Sequence, residues 1–146
     1  MKKWGILLLV ILLAAVTAGH AELITVTLSD GQCESGSEAV VCNGSQVTIT
    51  APGDYLLTGT LSDGQIRINC RDDGKVVINL QDVHIHNETG AAILIEHVSS
   101  KAQISLMAGT SSELSNGSAL VYEEDDEPNG VIFSRSDLTI EGSGAL

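Results

Sequence analysis

A set of short strands recurs along this chain at a period near 26 residues, and that period constrains the fold more than any other feature. Lys75-Val76-Val77-Ile78-Asn79-Leu80 returns as Lys101-Ala102-Gln103-Ile104-Ser105-Leu106, 26 residues later. Ile66-Arg67-Ile68 returns as Ile93-Leu94-Ile95, 27 residues later. Leu138-Thr139-Ile140 repeats the Gln103-Ile104 strand after a longer gap, filled by the acidic stretch Glu123-Glu124-Asp125-Asp126-Glu127-Pro128-Asn129. From Gln46 onward the apolar residues fall in short runs with a period of two, rich in β-branched side chains and separated by Gly, Asp, Asn and Ser. That is strand chemistry. No stretch beyond the first twenty residues carries a helical apolar stripe.

Short strands in sets of about three, repeating at a fixed interval, predict an all-β chain wound as a right-handed parallel β-helix. A single coil cannot bury its own apolar face, so coils stack and insertions are extruded as loops. The competing reading is a hairpin-built sandwich. It accounts less well for equivalent strands at matching intervals, and paired Asn-Gly turns are not present at each junction. Residues 46–146 are expected to form the rungs. Residues 22–45, with the strand Leu23-Ile24-Thr25-Val26-Thr27-Leu28, are expected to form a cap over the first coil. The chain stops at Leu146 just after Gly142-Ser143-Gly144, with no closing element, as expected of the N-terminal part of a longer helix.

The beginning of the chain reads as an address. Lys2 and Lys3 precede the apolar run Ile6 to Val16, and Gly19 and Ala21 stand at −3 and −1 of a cut before Glu22. A cut after Ala18, with Val16 at −3, also satisfies the rule. The run is shorter than the ~20 residues of a membrane span. Residues 1–21 are therefore expected to be a signal peptide and the product to be secreted, extracellular and soluble.

Removing that segment leaves five basic residues against 19 acidic ones. Such an excess repels nucleic-acid phosphates and anionic membrane surfaces, excluding both as partners, and attracts divalent cations. Trp4 leaves too, so the aromatic residues beyond the signal are Tyr55, Tyr122 and Phe133. Export permits a disulfide between Cys33 and Cys42, with Cys70 left as a small buried apolar residue, but pairing cannot be read from spacing alone.

Calcium takes six to eight oxygen ligands. The acid run containing Asp125, Asp126 and Glu127 is a candidate source. Asp137, at a strand start, and Asp72 and Asp73, in a turn that stacking brings toward neighbouring rungs, are candidate partners. The alternative is a solvated acidic loop, the usual role of a charge run. No EF-hand loop and no nonapeptide calcium repeat is present. His84 and His86 point away from the Val83/Ile85 face, either as two zinc ligands without an evident third or as an exposed polar ladder.

No nucleophile elbow occurs, and no carboxylate pair is singled out for glycosidase work. A lyase would need a base among Lys75, Lys101, Arg67, Arg71 and Arg135, of which the two lysines are repeat-equivalent and so suit a surface ladder. Asn43, Asn87 and Asn116 each begin an Asn-x-Ser/Thr triplet, a composition that turns also favour. No catalytic residue is expected.

The segment Thr50 to Leu146 resembles a known family. The resemblance runs through Gly53-Asp54-Tyr55-Leu56-Leu57-Thr58-Gly59-Thr60-Leu61-Ser62-Asp63-Gly64-Gln65-Ile66, Asp72-Asp73-Gly74-Lys75-Val76 and Leu80 to Ile85. It continues in Gly90-Ala91-Ala92-Ile93 and Asp125-Asp126-Glu127-Pro128-Asn129-Gly130, and ends with Ser134 to Leu146. These motifs are similar to those of the secreted bacterial carbohydrate-binding domain-containing proteins, acidic calcium-containing parallel β-helices similar in fold to pectate lyases. The resemblance implies calcium among acidic loops and non-catalytic binding of plant cell-wall polysaccharide, pectic polygalacturonate or cellulose. Members are considerably longer. A fragment of a calcium-dependent polysaccharide lyase and a surface adhesin or structural solenoid are the alternatives. Without Trp platforms, calcium bridging carboxylate to carboxylate is a route to holding an acidic polymer.

Overall fold

Side chains in these strands alternate between an apolar interior and a polar surface, and each strand finds its partner about one period away. The computed structural model describes residues 21–121 and 129–146, and among them every regular element is a strand. In chain order these are β1 (Leu23–Ser29), β2 (Gln32–Ser35), β3 (Val40–Asn43), β4 (Gln46–Ile49), β5 (Gly53–Leu61) and β6 (Gln65–Cys70). They continue as β7 (Val76–Asn87), β8 (Ile93–Val98), β9 (Ala102–Leu106), β10 (Glu113–Asn116), β11 (Ile132–Ser134) and β12 (Leu138–Gly142).

They form two sheets. The seven-stranded sheet runs β12-β9-β7-β5-β1-β2, with β10 also on β7, and the five-stranded sheet runs β11-β8-β6-β4-β3. Every pair formed between strands from Gln46 onward is parallel. This is not the arrangement of a hairpin sandwich. The registers follow the sequence repeat: Val76 faces Ala102, Ile66 faces Ile93, and Leu138 faces Ala102 from the other side.

Three details depart from expectation. Val76–Leu80 and Val83–Ile85, two runs in the sequence, are one strand, β7. Asp82, at φ 50°, turns the chain within it, so its first half pairs with β9 and its second with β10. Strands β2 and β10 carry no apolar run of their own, and β3, Val40-Val41-Cys42-Asn43, buries only Val40. Residues 22–45 form more than one strand: β2 folds back on β1 and β3 pairs with β4, both antiparallel, over the turns Asp30-Gly31 and Gly44-Ser45. Gly31 and Gly44 take positive φ there, which glycine adopts without steric cost.

The interior is made of stacked apolar ladders. Ile24, Tyr55, Ile78, Ile104 and Ile140 follow one another across the larger sheet, and Val47, Ile66, Ile93 and Ile132 across the smaller. Tyr55, Ile66, Ile78, Ile93 and Ile104 are fully buried. Each such side chain contributes roughly 1.5–3 kcal/mol by leaving water. The Tyr55 hydroxyl donates to the Ala51 carbonyl at 2.7 Å, and burial pushes its pKa up. A disulfide joins Cys33 to Cys42, Cα atoms 5.8 Å apart, and Cys70 is free and buried.

Candidate binding groove

Strand alternation selects which residues meet solvent on the smaller sheet. Ile66 and Ile68 point inward, so Arg67 of β6 points outward; Ile93 and Ile95 place Leu94 and Glu96 of β8 on the same outer side. Beyond Ile68/Ile95 the register of these strands slips by one residue, and Glu96 lies at the slip. Glu96 accepts hydrogen bonds from Arg67 Nη2 and, at 3.1 Å, from Asn69 Nδ2. Phe133 follows Leu94 in register on β11, and the Arg135 guanidinium stands 6.0 Å from its ring centroid. A cation over an aromatic face is attracted by the ring quadrupole.

These side chains border a groove of about 530 Å³ that also takes in Asp63-Gly64-Gln65 and Thr89-Gly90-Ala91, the turns leading into β6 and β8. The turns are held by their own polar groups. Gln65 Nε2 and Asn87 Nδ2 both donate to the Ala91 carbonyl at 2.9 Å, and Asn87 Oδ1 accepts from Thr89 N at 3.1 Å. Asp63 Oδ1 accepts from Glu88 N at 3.1 Å. Val121, on the groove wall, donates through its backbone N–H to the Thr89 carbonyl at 2.7 Å. The result is an open, mostly polar trough with amide, carboxylate and guanidinium groups, suited to a hydroxyl-rich ligand.

Of the residues picked from sequence for calcium, Asp125, Asp126 and Glu127 lie outside the described residues. Asp72 and Asp73 are exposed in the turn between β6 and β7, and Asp137 is exposed just before β12. All three acids occupy one corner of the stack. Gly74 N donates to Ser99 Oγ, Val98 N to Ser136 Oγ and Ala102 N to the Asp137 carbonyl. The turn carrying Ser99, Ser100 and Lys101 thus stands between Asp72-Asp73 and Asp137. Among the described residues no three His, Cys, Asp or Glu side chains gather closely enough to hold a metal ion. His84 is exposed; His86 contacts Ser115 Oγ at 2.9 Å through Nδ1 and Glu88 Oε2 at 3.2 Å through Nε2. Lys75 and Lys101 each immediately precede the paired residues Val76 and Ala102, as the repeat implies.

Sequence reasoning considered Arg67 and Arg135 only as bases and did not consider Glu96. The usable signal was the 27-residue shift, which aligns Arg67 with Leu94 and gives Glu96, two residues on, the same outward parity.

The all-β stack and its polar surface trough do not by themselves fix the class of protein, and the comparisons supply it. Residues 43–146 match the family model described as carbohydrate-binding domain-containing protein, and the chain belongs to that family. A carbohydrate-binding domain-containing protein of Acetivibrio thermocellus is 37% identical over 103 residues, covering 69% of this chain and 36% of the relative. The solved structure of a polysaccharide lyase-like protein from C. thermocellum, a gadolinium derivative, superimposes with a TM-score of 0.77 at 29% identity. That match covers 84% of this chain and 50% of the solved one. The chain thus spans about a third of the curated relative and half of the solved neighbour.

Proposed function

We propose that this protein is an exported, non-catalytic module that binds plant cell-wall polysaccharide, polygalacturonate or cellulose, with the assistance of calcium. In this reading the parallel strands wind as a right-handed β-helix, and the polymer lies in the groove bordered by Arg67, Glu96 and Arg135. The observation that carries it is that groove, polar and open, on a chain of a carbohydrate-binding family. Calcium supplies what an acidic chain lacks, a bridge between its own carboxylates and those of an acidic polymer. The acid run with Asp125, Asp126 and Glu127 is the assigned source of ligands, with Asp72, Asp73 and Asp137 as further donors.

Retention on polygalacturonate and on cellulose, with millimolar calcium and with chelator, tests the reading. Calcium is expected to raise polygalacturonate retention and the melting temperature, the latter by mass action on the native state. Replacing Asp125 and Asp126 with Asn is expected to remove most of both effects. Failure of the wild type to hold either polymer would overturn the sugar-binding claim. Absence of any melting shift would remove calcium from it.

A lyase is the second reading, favoured by the name of the solved neighbour and by a guanidinium in the groove. It requires the release of unsaturated, ultraviolet-absorbing chain ends from polygalacturonate. The binding reading expects none.

A further inference from the structure

We propose that Ser115 is a nucleophile, activated by His86 and Glu88, that takes the acyl group of an ester. This reactivity goes beyond the binding reading and does not rest on the groove. It begins in the strand register. Parallel pairing sets His86 of β7 opposite Ser115 of β10, and their neighbours Ile85 and Leu114 pack into the core. His86 and Ser115 therefore both stand on the outer side of the larger sheet. His86 Nδ1 lies 2.9 Å from Ser115 Oγ, and Nε2 lies 3.2 Å from Glu88 Oε2. A neutral imidazole has one N–H and one bare nitrogen, and a carboxylate can only accept. Glu88 thus holds the ring proton on Nε2 and leaves Nδ1 bare to receive the Ser115 hydroxyl proton. A hydroxyl within reach of a base that a third group orients is the arrangement that activates serine. The ring is turned end for end from the usual serine relay, where Nε2 faces the hydroxyl, but the proton follows the same path.

The members of the relay are held in place. The His86 carbonyl accepts from Gly64 N at 2.8 Å, and Glu88 N donates to Asp63 Oδ1 at 3.1 Å. Gly117 closes against the carboxylate, where a Cβ would come within 2.4 Å of Glu88 Cδ and Oε2. The site is also open: the His86 and Glu88 side chains keep 37% and 50% of their surface exposed, and Ser115 is half-buried. In the reaction Ser115 Oγ attacks the ester carbonyl carbon while His86 Nδ1 takes the hydroxyl proton. The bond from that carbon to the alcohol oxygen then breaks. The alcohol leaves with the proton, and the acyl group stays on Oγ. Glu88 offsets the charge that the ring carries between the two proton transfers. An open sheet surface suits small, uncrowded acyl groups, the class to which acetyl esters of sugars belong.

The test treats the full chain with p-nitrophenyl acetate and with a fluorophosphonate, which halts at the covalent serine adduct, and maps the modified residue by peptide mass spectrometry. Ser115→Ala, His86→Gln and Glu88→Gln are compared with Ser118→Ala, which removes an exposed hydroxyl outside the relay. Urea midpoints confirm folding. Both reagents are expected to modify Ser115 in the wild type and in Ser118→Ala. His86→Gln should slow that modification about a hundredfold or more, and Glu88→Gln about tenfold or more. Glu88→Gln carries the test if His86→Gln unfolds. Three outcomes overturn the proposal: a folded wild type whose Ser115 stays unmodified, labels scattered over several serines, or a folded His86→Gln or Glu88→Gln protein that reacts at the wild-type rate. Polysaccharide retention, measured on the same proteins, should be equal in all of them, so the loss of this proposal and the loss of the binding reading are told apart.

Discussion

Asp30 shows how single side chains tie distant segments of this chain together. Its two carboxylate oxygens accept from Ser62 N at 2.6 Å and Ser62 Oγ at 2.7 Å, 32 residues away. These bonds favour the ionised form and hold its pKa below the ordinary carboxylate value of 3.8, the backbone bond contributing most. A depressed folded-state pKa gives stability that is present above the unfolded value and lost as pH falls through the lower folded one. Asp30→Asn should therefore lower the urea midpoint at pH 7, and the deficit should shrink below pH 3.8. A deficit constant down to pH 2 would exclude the ionic contribution. Gly59 gives a steric counterpart. It has φ +98°, and a Cβ there would run into the Leu28 carbonyl of the neighbouring strand. Gly59→Ala should cost on the order of 1–3 kcal/mol in equilibrium unfolding.

At the scale of elements, the two sheets are finished differently at their ends. β2 and β3 close the N-terminal edge of each sheet with antiparallel pairs, and the Cys33–Cys42 bridge ties one to the other. For a loop this short, replacing both cysteines with serine should destabilise by about 2–3 kcal/mol, read from urea unfolding under oxidising conditions. The repeat in the sequence made the parallel ladders legible because one side chain in two is buried and a slip of one residue would expose them all. β2 carries no apolar pattern and the apolar start of β3 is only Val40-Val41-Cys42, since edge strands bury little: Gln32 and Glu34 are exposed, and Val41, Cys42 and Asn43 as well. Their turns were legible. Asp30-Gly31 and Gly44-Ser45 are two-residue hairpin turns with glycine at positive φ, signals confined to these two junctions. The groove was harder to foresee, because it draws on Asp63, Arg67, Glu96 and Arg135, which only the stacking brings to one surface.

For the whole molecule, the ladders imply a gradient of sensitivity along the stack. Ile78 is fully buried with Tyr55 on one side and Ile104 on the other, whereas Ile140, last in the same ladder, is 48% exposed. Ile78→Ala should cost roughly 2–5 kcal/mol, and Ile140→Ala well under half as much, when both are compared by denaturant unfolding. The parallel registers carry one more consequence. Because Val76 faces Ala102 and Ile66 faces Ile93, each of these strands pairs with the strand one sequence repeat away. A tandem copy of residues 76–101 placed after Lys101 would meet a ready-made seat on both of its faces. A copy of half that length would deliver every later strand to the wrong sheet. Added length in steps of one repeat would thus extend both sheets and add fresh surface while reusing the same interior pattern.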